Sequence, residues 1–247
     1  MDNYMRDYEE VTTSSSARRN RGVDITSAFS TLMRKVYVWM TLALVVSGLT
    51  AGYVAGNEGM LYAILTNKVL FYGLMIGEVV LVIGLSAAIN RISALTATLL
   101  FLAYAVLNGA TLSILLVLFT ATSLATTFFV TAGTFVAMAL VGSVTKMDLT
   151  KMGSYLIMAV VGLIIASVVN MFMQNSTLDL IVSGIGVLVF TGLTAYDAQK
   201  IKEMMLENGT EVNEQTQKLA LLGALTLYLD FINLFLYLLR FLGNRRD

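Results

Sequence analysis

The chain has 247 residues, of which 57% are apolar and only 13% charged, against about 45–50% and about 25% in ordinary soluble domains. Lys+Arg and Asp+Glu number 16 each, so no basic excess draws the chain to nucleic acid. Histidine and cysteine are both absent, which excludes disulfides, thiolate metal sites, catalytic cysteines and Ser-His-Asp triads. Proline is absent as well. Any pH response near neutrality therefore falls to carboxylates, and any helix bend to glycine, serine or an inserted polar group.

Residues 1–35 are polar and carry eleven charges together with the run Thr12-Thr13-Ser14-Ser15-Ser16, which reads as a flexible N-terminal arm. The arm lacks the short apolar core and small-residue cleavage site of a secretory signal. Seven stretches nearly free of charge follow: Val36–Ala55, Val69–Ile89, Ala94–Phe119, Leu124–Val144, Gly153–Met173, Leu180–Asp197 and Leu219–Leu239. Each approaches or exceeds the ~20 residues that an α-helix needs to cross a hydrocarbon layer ~30 Å thick. The expected class is all-α: a polytopic membrane protein with residues 36–247 forming one seven-helix domain. The ten-residue alternating segments of a transmembrane β-barrel are not present.

Connections are short apart from the arm and Lys200–Lys218, a loop carrying Glu203, Glu207, Glu211 and Glu214. Gly73 with Gly77, and Ala159, Gly162, Ala166 and Asn170, recur at helical spacing and suit close helix packing in lipid. No inverted repeat supports a transporter. With the N-terminus inside, twelve of the 16 Lys and Arg fall on inner segments, as expected of cytoplasmic loops. Arg240, Arg245 and Arg246 are the exception. Either the seventh segment crosses fully and leaves them outside, or it re-enters and returns the tail to the inner face.

Only Glu78, Asp197 and Asp230 place formal charge inside the apolar segments. An ionisable group at membrane depth costs a few kcal/mol and tends to face the bundle interior with a partner. Thr226, Asp230, Asn233 and Tyr237 follow one another at steps of four, three and four, which sets one polar stripe along the last helix. Counted from Lys200 and Leu219, Asp197 and Asp230 differ in depth by ~10 Å, an objection to their pairing. If they meet, two carboxylates in low dielectric resist double ionisation and share a proton. Doubly ionised, the pair is also a candidate Ca²⁺ site, because Ca²⁺ prefers carboxylate oxygens. Arg91 lies at about the depth of Asp197 and is a candidate latch or a plain positive-inside anchor. Glu78 marks either the same path nearer the outer face or a single buried glutamic acid.

The segments Leu193-Thr194-Ala195-Tyr196-Asp197-Ala198-Gln199-Lys200-Ile201-Lys202 and Leu227-Tyr228-Leu229-Asp230-Phe231-Ile232-Asn233-Leu234-Phe235 resemble the two signatures of the Bax inhibitor-1 (transmembrane Bax inhibitor motif) family. Asp148-Leu149-Thr150-Lys151-Met152-Gly153, Asn108-Gly109-Ala110-Thr111-Leu112 and the stretch around Tyr37–Met40 are similar to its bacterial inner-membrane branch. The resemblance implies seven helices with the last one central and a pH-sensitive cation leak, chiefly of Ca²⁺. It also implies a hydrogen-bonded gate dyad at Asp197 and Asp230, and maps a family arginine to Arg91 and a family glutamate to Glu78; Arg91, Glu78 and Asn233 are the candidate latch or pathway residues. No resident cofactor is expected; Ca²⁺ and protons are the permeant or bound species, and the bilayer is the standing partner. Relatives are associated with modulating a membrane protease or restraining cell death, so a non-conducting regulatory protein is the alternative. The chain is not expected to be an enzyme. An intramembrane aspartyl protease would place Gly-x-Gly before its second aspartate, where Leu227-Tyr228-Leu229 stands, and would need a proline motif that this chain lacks.

Overall fold

A computed structural model describes residues 30–207 and 213–246. Most of the arm, and Glu211 of the acidic loop, lie outside these described residues. The helices in chain order are α1 (Ser30–Ala55), α2 (Glu58–Thr66), α3 (Lys68–Ala88), α4 (Ala94–Leu112), α5 (Leu115–Leu118), α6 (Ala121–Val144), α7 (Thr150–Met173), α8 (Ser176–Glu207) and α9 (Glu214–Leu242). Seven of them, with α4 and α5 acting as one unit and α2 lying outside the set, are long and apolar enough to cross a membrane. The chain is therefore an α-helical seven-span bundle.

Helix ends follow from local chemistry. Asn57, Asn67, Ser93, Thr120 and Asn213 each cap a helix by accepting a backbone N–H of its first turn. Asn213 also makes a reciprocal capping box with Thr216. The break between α4 and α5 falls at Ser113, whose hydroxyl donates to Ala110 O at 2.6 Å while its N–H contacts the carbonyls of Gly109 and Ala110. A proline-free chain thus bends where serine competes for the backbone. The α7–α8 turn holds Gln174 in the left-handed region, at φ 51.

Helix α9 is the axis. Over its most apolar 18 residues 61% are buried, against 6% for α3 and α7. It packs on α4, α6 and α8, and its Leu225, Leu227, Tyr228 and Phe231 share one core with Val36, Met40, Phe101, Phe135 and Ile201. Lipid supplies no hydrophobic drive for helix association, so close contact depends on small residues. A side chain at Gly109 would meet the Ser47 carbonyl, one at Gly142 the Ala195 carbonyl, and ones at Gly153 and Gly186 the rings of Tyr196 and Tyr237. Gly73 and Gly162, expected at helix contacts, face open space instead.

Three expected boundaries move. The first helix already includes Ser30, six residues before the expected start, and buries Leu32 and Met33 in the core. The sixth apolar segment continues to Glu207 as an amphipathic extension that buries Ile201 and Met205 while Lys200 and Glu203 face outward. The seventh begins at Glu214, on its capping box. The fate of the C-terminus is settled too. Helix α9 runs unbroken, and the tail pairs with the α5–α6 turn: Thr120 N–H donates to Asn244 O at 3.2 Å and Arg246 N–H to Leu118 O at 2.9 Å. That turn lies three crossings from Ser30, so the ends of the bundle are on opposite faces and the re-entrant alternative is excluded.

Candidate functional site

The register of α8 on α9 brings Asp197 and Asp230 together. Gly223 packs on Ile201 and Gly186 under Tyr237, so Lys200 lies level with about residue 224, and not with Leu219. Measured from that level, Asp197 and Asp230 stand ~4.5 and ~9 Å along their helices, a gap that two side chains close. The two carboxyls lie close enough to act on one another. Asp230 is 5% exposed, and its Oδ2 is buried without an N–H or O–H donor. Asp197 is half-buried. Two carboxyls in contact satisfy each other only when one of them holds a proton. No third acidic residue joins it among the described residues.

Around this pair α8 organises the neighbouring turn. Lys200 acts electrostatically on Asp197, and its Nζ sits 5.8 Å from the Tyr196 ring centre. Gln199 clamps the α6–α7 connection from both sides: it accepts from Leu149 N at 2.9 Å and donates to Met147 O at 2.8 Å. Lys202 donates to Ser143 O at 2.6 Å, placing a cation on the carbonyl end of α6.

A second polar assembly occupies the other side of α9. Glu78 accepts from Asn108 Nδ2 at 3.0 Å and from Thr111 Oγ1 at 2.5 Å. The Tyr228 hydroxyl donates to Asn108 Oδ1 at 2.8 Å and lies 2.6 Å from Ser47 Oγ. Ser47 also reaches the Ala105 carbonyl at 2.8 Å. Four helices, α1, α3, α4 and α9, are tied by this chain. Glu78 is thus a bonded, half-buried carboxyl at a junction separate from the aspartates.

Two other expected residues are placed differently. Arg91 is exposed in the α3–α4 turn and makes no ion pair with Asp197; the cation acting on that carboxyl is Lys200. The expected contact between Arg91 and Asp197 is thus not formed in this structure. Asn233 turns its amide back onto Leu229 O at 2.8 Å. Of the predicted stripe, Asp230 and Tyr237 face α8, Tyr237 stacking on Phe190 at 5.5 Å. Sequence reasoning missed Ser47, Tyr228 and Gln199 as site residues. The available signal was a tyrosine and a glutamine inside the two acidic signatures.

These features define the class: a seven-span helical membrane protein with a central last helix, a buried carboxyl pair on one side of it and a hydrogen-bonded glutamate on the other. Comparison with known proteins supplies the family. Residues 29–247 match the family model described as "Inhibitor of apoptosis-promoting Bax1". The inner membrane protein YbhL of Escherichia coli K12 is 47% identical over 220 residues, covering 89% of this chain and 94% of YbhL. The RP147 protein of Rickettsia prowazekii is 43% identical over 249 residues, covering 98% and 100%. A Deinococcus radiodurans protein is 42% identical over 217 residues, covering 88% and 91%. The chain belongs to the Bax inhibitor-1 family.

Proposed function

We propose that the protein is a pH-sensitive cation leak of the bacterial inner membrane, with Ca²⁺ as the permeant ion and Asp197 and Asp230 as its gate. The observation that carries the reading is the contact between two carboxyls, one of them 5% exposed, on the helix pair α8–α9. With one proton held between them, α8 and α9 are cross-linked. Loss of that proton leaves two negative charges in low dielectric, which repel and favour a separated packing. A proton shifts such an equilibrium only through its different affinity for the two packings. Rising pH therefore favours the open form, and the ionised carboxylates offer hard oxygen ligands to a passing divalent cation. Lys200 sets the electrostatic background of the pair.

The name of the E. coli relative supports an inner-membrane location. The surplus of Lys and Arg on the Ser30 side, twelve of 16, supports a cytoplasmic N-terminus. Reconstitution into proteoliposomes loaded with a Ca²⁺ indicator tests the function. Flux should rise with pH in wild type, and Asp197→Asn and Asp230→Asn should flatten that dependence. Wild-type pH dependence in both variants would overturn the gate. A purified protein that passes no Ca²⁺ at any pH would replace the leak with the non-conducting regulatory reading.

A further inference from the structure

Three apolar cavities, of 460, 430 and 690 Å³, lie in series between α1 and α6. The first two share Leu44, Phe128 and Phe231; the second and third share Tyr37, Thr41 and Leu140. They therefore make one groove, from Leu116 and Ala121 at the end of the bundle that holds the C-terminal tail to Arg34 and Ser143 at the other. Phe231 of α9 forms its floor, edge-on to Phe128 and Phe135 at 5.6 and 5.5 Å. The walls open sideways: Leu42, Val136, Phe129 and Leu140 are all exposed at the helix surface. In a seven-span bundle that surface faces the bilayer.

The groove has a chemical polarity. Along most of its length the lining is aliphatic or aromatic, but Arg34 lines the Ser143 end and is exposed there. Lys202 bonds the carbonyl of Ser143 itself, so two cations flank the same mouth. Among the described residues no acidic side chain lines any of the three cavities, and none is ion-paired with Arg34. A membrane-long apolar slot with a basic mouth fits a molecule with a long hydrocarbon tail and an anionic head. Each cavity lies within the size range of dedicated ligand sites.

We propose that this groove holds one anionic glycerophospholipid, its acyl chain along α1 and α6 on Phe231, and its phosphate at Arg34. The lipid fills the gap between α1 and α6 and packs on Phe231 of α9 beneath it. Basic side chains at a membrane surface favour anionic lipid by about fivefold each. The acyl-chain contacts supply retention.

The experiment purifies the full chain in mild detergent after incubation with an equimolar mixture of dioleoylphosphatidylglycerol and dioleoylphosphatidylcholine, and quantifies the lipid retained per chain by mass spectrometry. Wild type should keep about one phosphatidylglycerol, in at least fivefold preference over phosphatidylcholine. Arg34→Gln should reduce that preference about fivefold. Gly48→Leu should abolish retention of either lipid: Gly48 lines the groove, and a Cβ there meets nothing within 4 Å, so the added side chain fills the slot without disturbing the backbone. Gly133→Leu, on α6 and equally unobstructed but outside the groove lining, should behave as wild type and controls for the substitution itself. Absence of retained lipid, equal retention of the two lipids, or identical behaviour of Gly48→Leu and Gly133→Leu would each overturn the assignment. The readout is independent of ion flux.

Discussion

Tyr228 and Asp230 stand two residues apart on α9 and serve opposite walls of it. The Tyr228 hydroxyl bonds Asn108 of α4 and Ser47 of α1, while the Asp230 carboxyl meets Asp197 of α8. At 100° per residue a two-residue step turns the side chain by about 200°, so a single turn of the central helix anchors both halves of the bundle. The Tyr228 side is neutral apart from Glu78 and fully bonded, whereas the Asp230 side retains a carboxyl oxygen with no donor.

Tyr228→Phe tests the fixed wall. The substitution keeps the ring, its edge contacts with Phe101 and Tyr104 at 5.9 and 5.7 Å, and nearly all its volume. It leaves the Asn108 carbonyl oxygen without its donor inside the bundle. Stranding a buried polar partner costs about 1–3 kcal/mol, and thermal unfolding in detergent should register a loss of that size. Glu78→Gln should cost less than Glu78→Ala. A glutamine can still accept from Asn108, and the Thr111 hydroxyl has a second acceptor in Leu107 O at 3.3 Å. Equal losses in the two Glu78 variants would show that the hydrogen bonds contribute little.

The membrane spans were legible from composition alone, since an uncharged run near 20 residues has few other uses. Their ends were not. A criterion of apolar runs stops at the first charge, yet α8 continues past Lys200 because Ile201 and Met205, four apart, bury against α9 while Lys200 and Glu203 face outward. That hidden extension produced the apparent depth mismatch between Asp197 and Asp230. Arg91 illustrates a second limit: depth can be counted along a helix, but the direction of a side chain depends on how neighbouring helices are rotated. The Glu78–Asn108–Tyr228 chain was illegible for the same reason, because its members lie on three helices and share no sequence spacing.

Gly142 and Gly133 make a matched pair on α6. A Cβ at Gly142 would overlap the backbone carbonyl of Ala195, which cannot rotate away, whereas one at Gly133 meets nothing within 4 Å. Gly142→Ala should therefore force α6 away from α8 and cost about 1–3 kcal/mol or more through overpacking. Gly133→Ala should be neutral or should stabilise by up to ~1 kcal/mol through helix propensity. Unfolding temperatures of the two variants check this directly, and a Gly142→Ala protein as stable as wild type would contradict the close α6–α8 contact.

Gln174 offers a stabilising change. It closes α7 in the left-handed conformation, φ 51 and ψ 38, with its N–H on Asn170 O. A residue with a Cβ gives up about 1–2 kcal/mol in that region relative to glycine. Gln174→Gly should recover part of it, offset by the greater freedom glycine has when unfolded. A net gain of a few tenths to ~1 kcal/mol is expected in thermal or denaturant unfolding, with the neighbouring cap from Asn175 to Leu178 N–H unchanged.

The α6–α7 connection carries the clearest acid dependence outside the spans. Asp148 accepts from the Thr150 N–H at 2.8 Å, and bonds from the Thr150 side chain and then its backbone hold this exposed carboxyl below the usual carboxylate range. A depressed folded-state value means that the contribution is complete above the ordinary carboxylate range and is lost as pH falls through the folded-state value. Hydrogen exchange at Thr150 and its neighbours, corrected for intrinsic rates, should therefore lose protection on acidification. Asp148→Asn keeps an acceptor for Thr150 but cannot titrate, so it should retain most of the neutral-pH protection and abolish the acid-dependent part. Gln199 provides the internal contrast, because its clamp on Leu149 N–H and Met147 O does not titrate. Gln199→Leu strands both backbone groups and should lower protection of the turn at every pH. If Gln199→Leu instead changes protection only at acid pH, the carboxyl rather than the amide clamp holds the connection against α8.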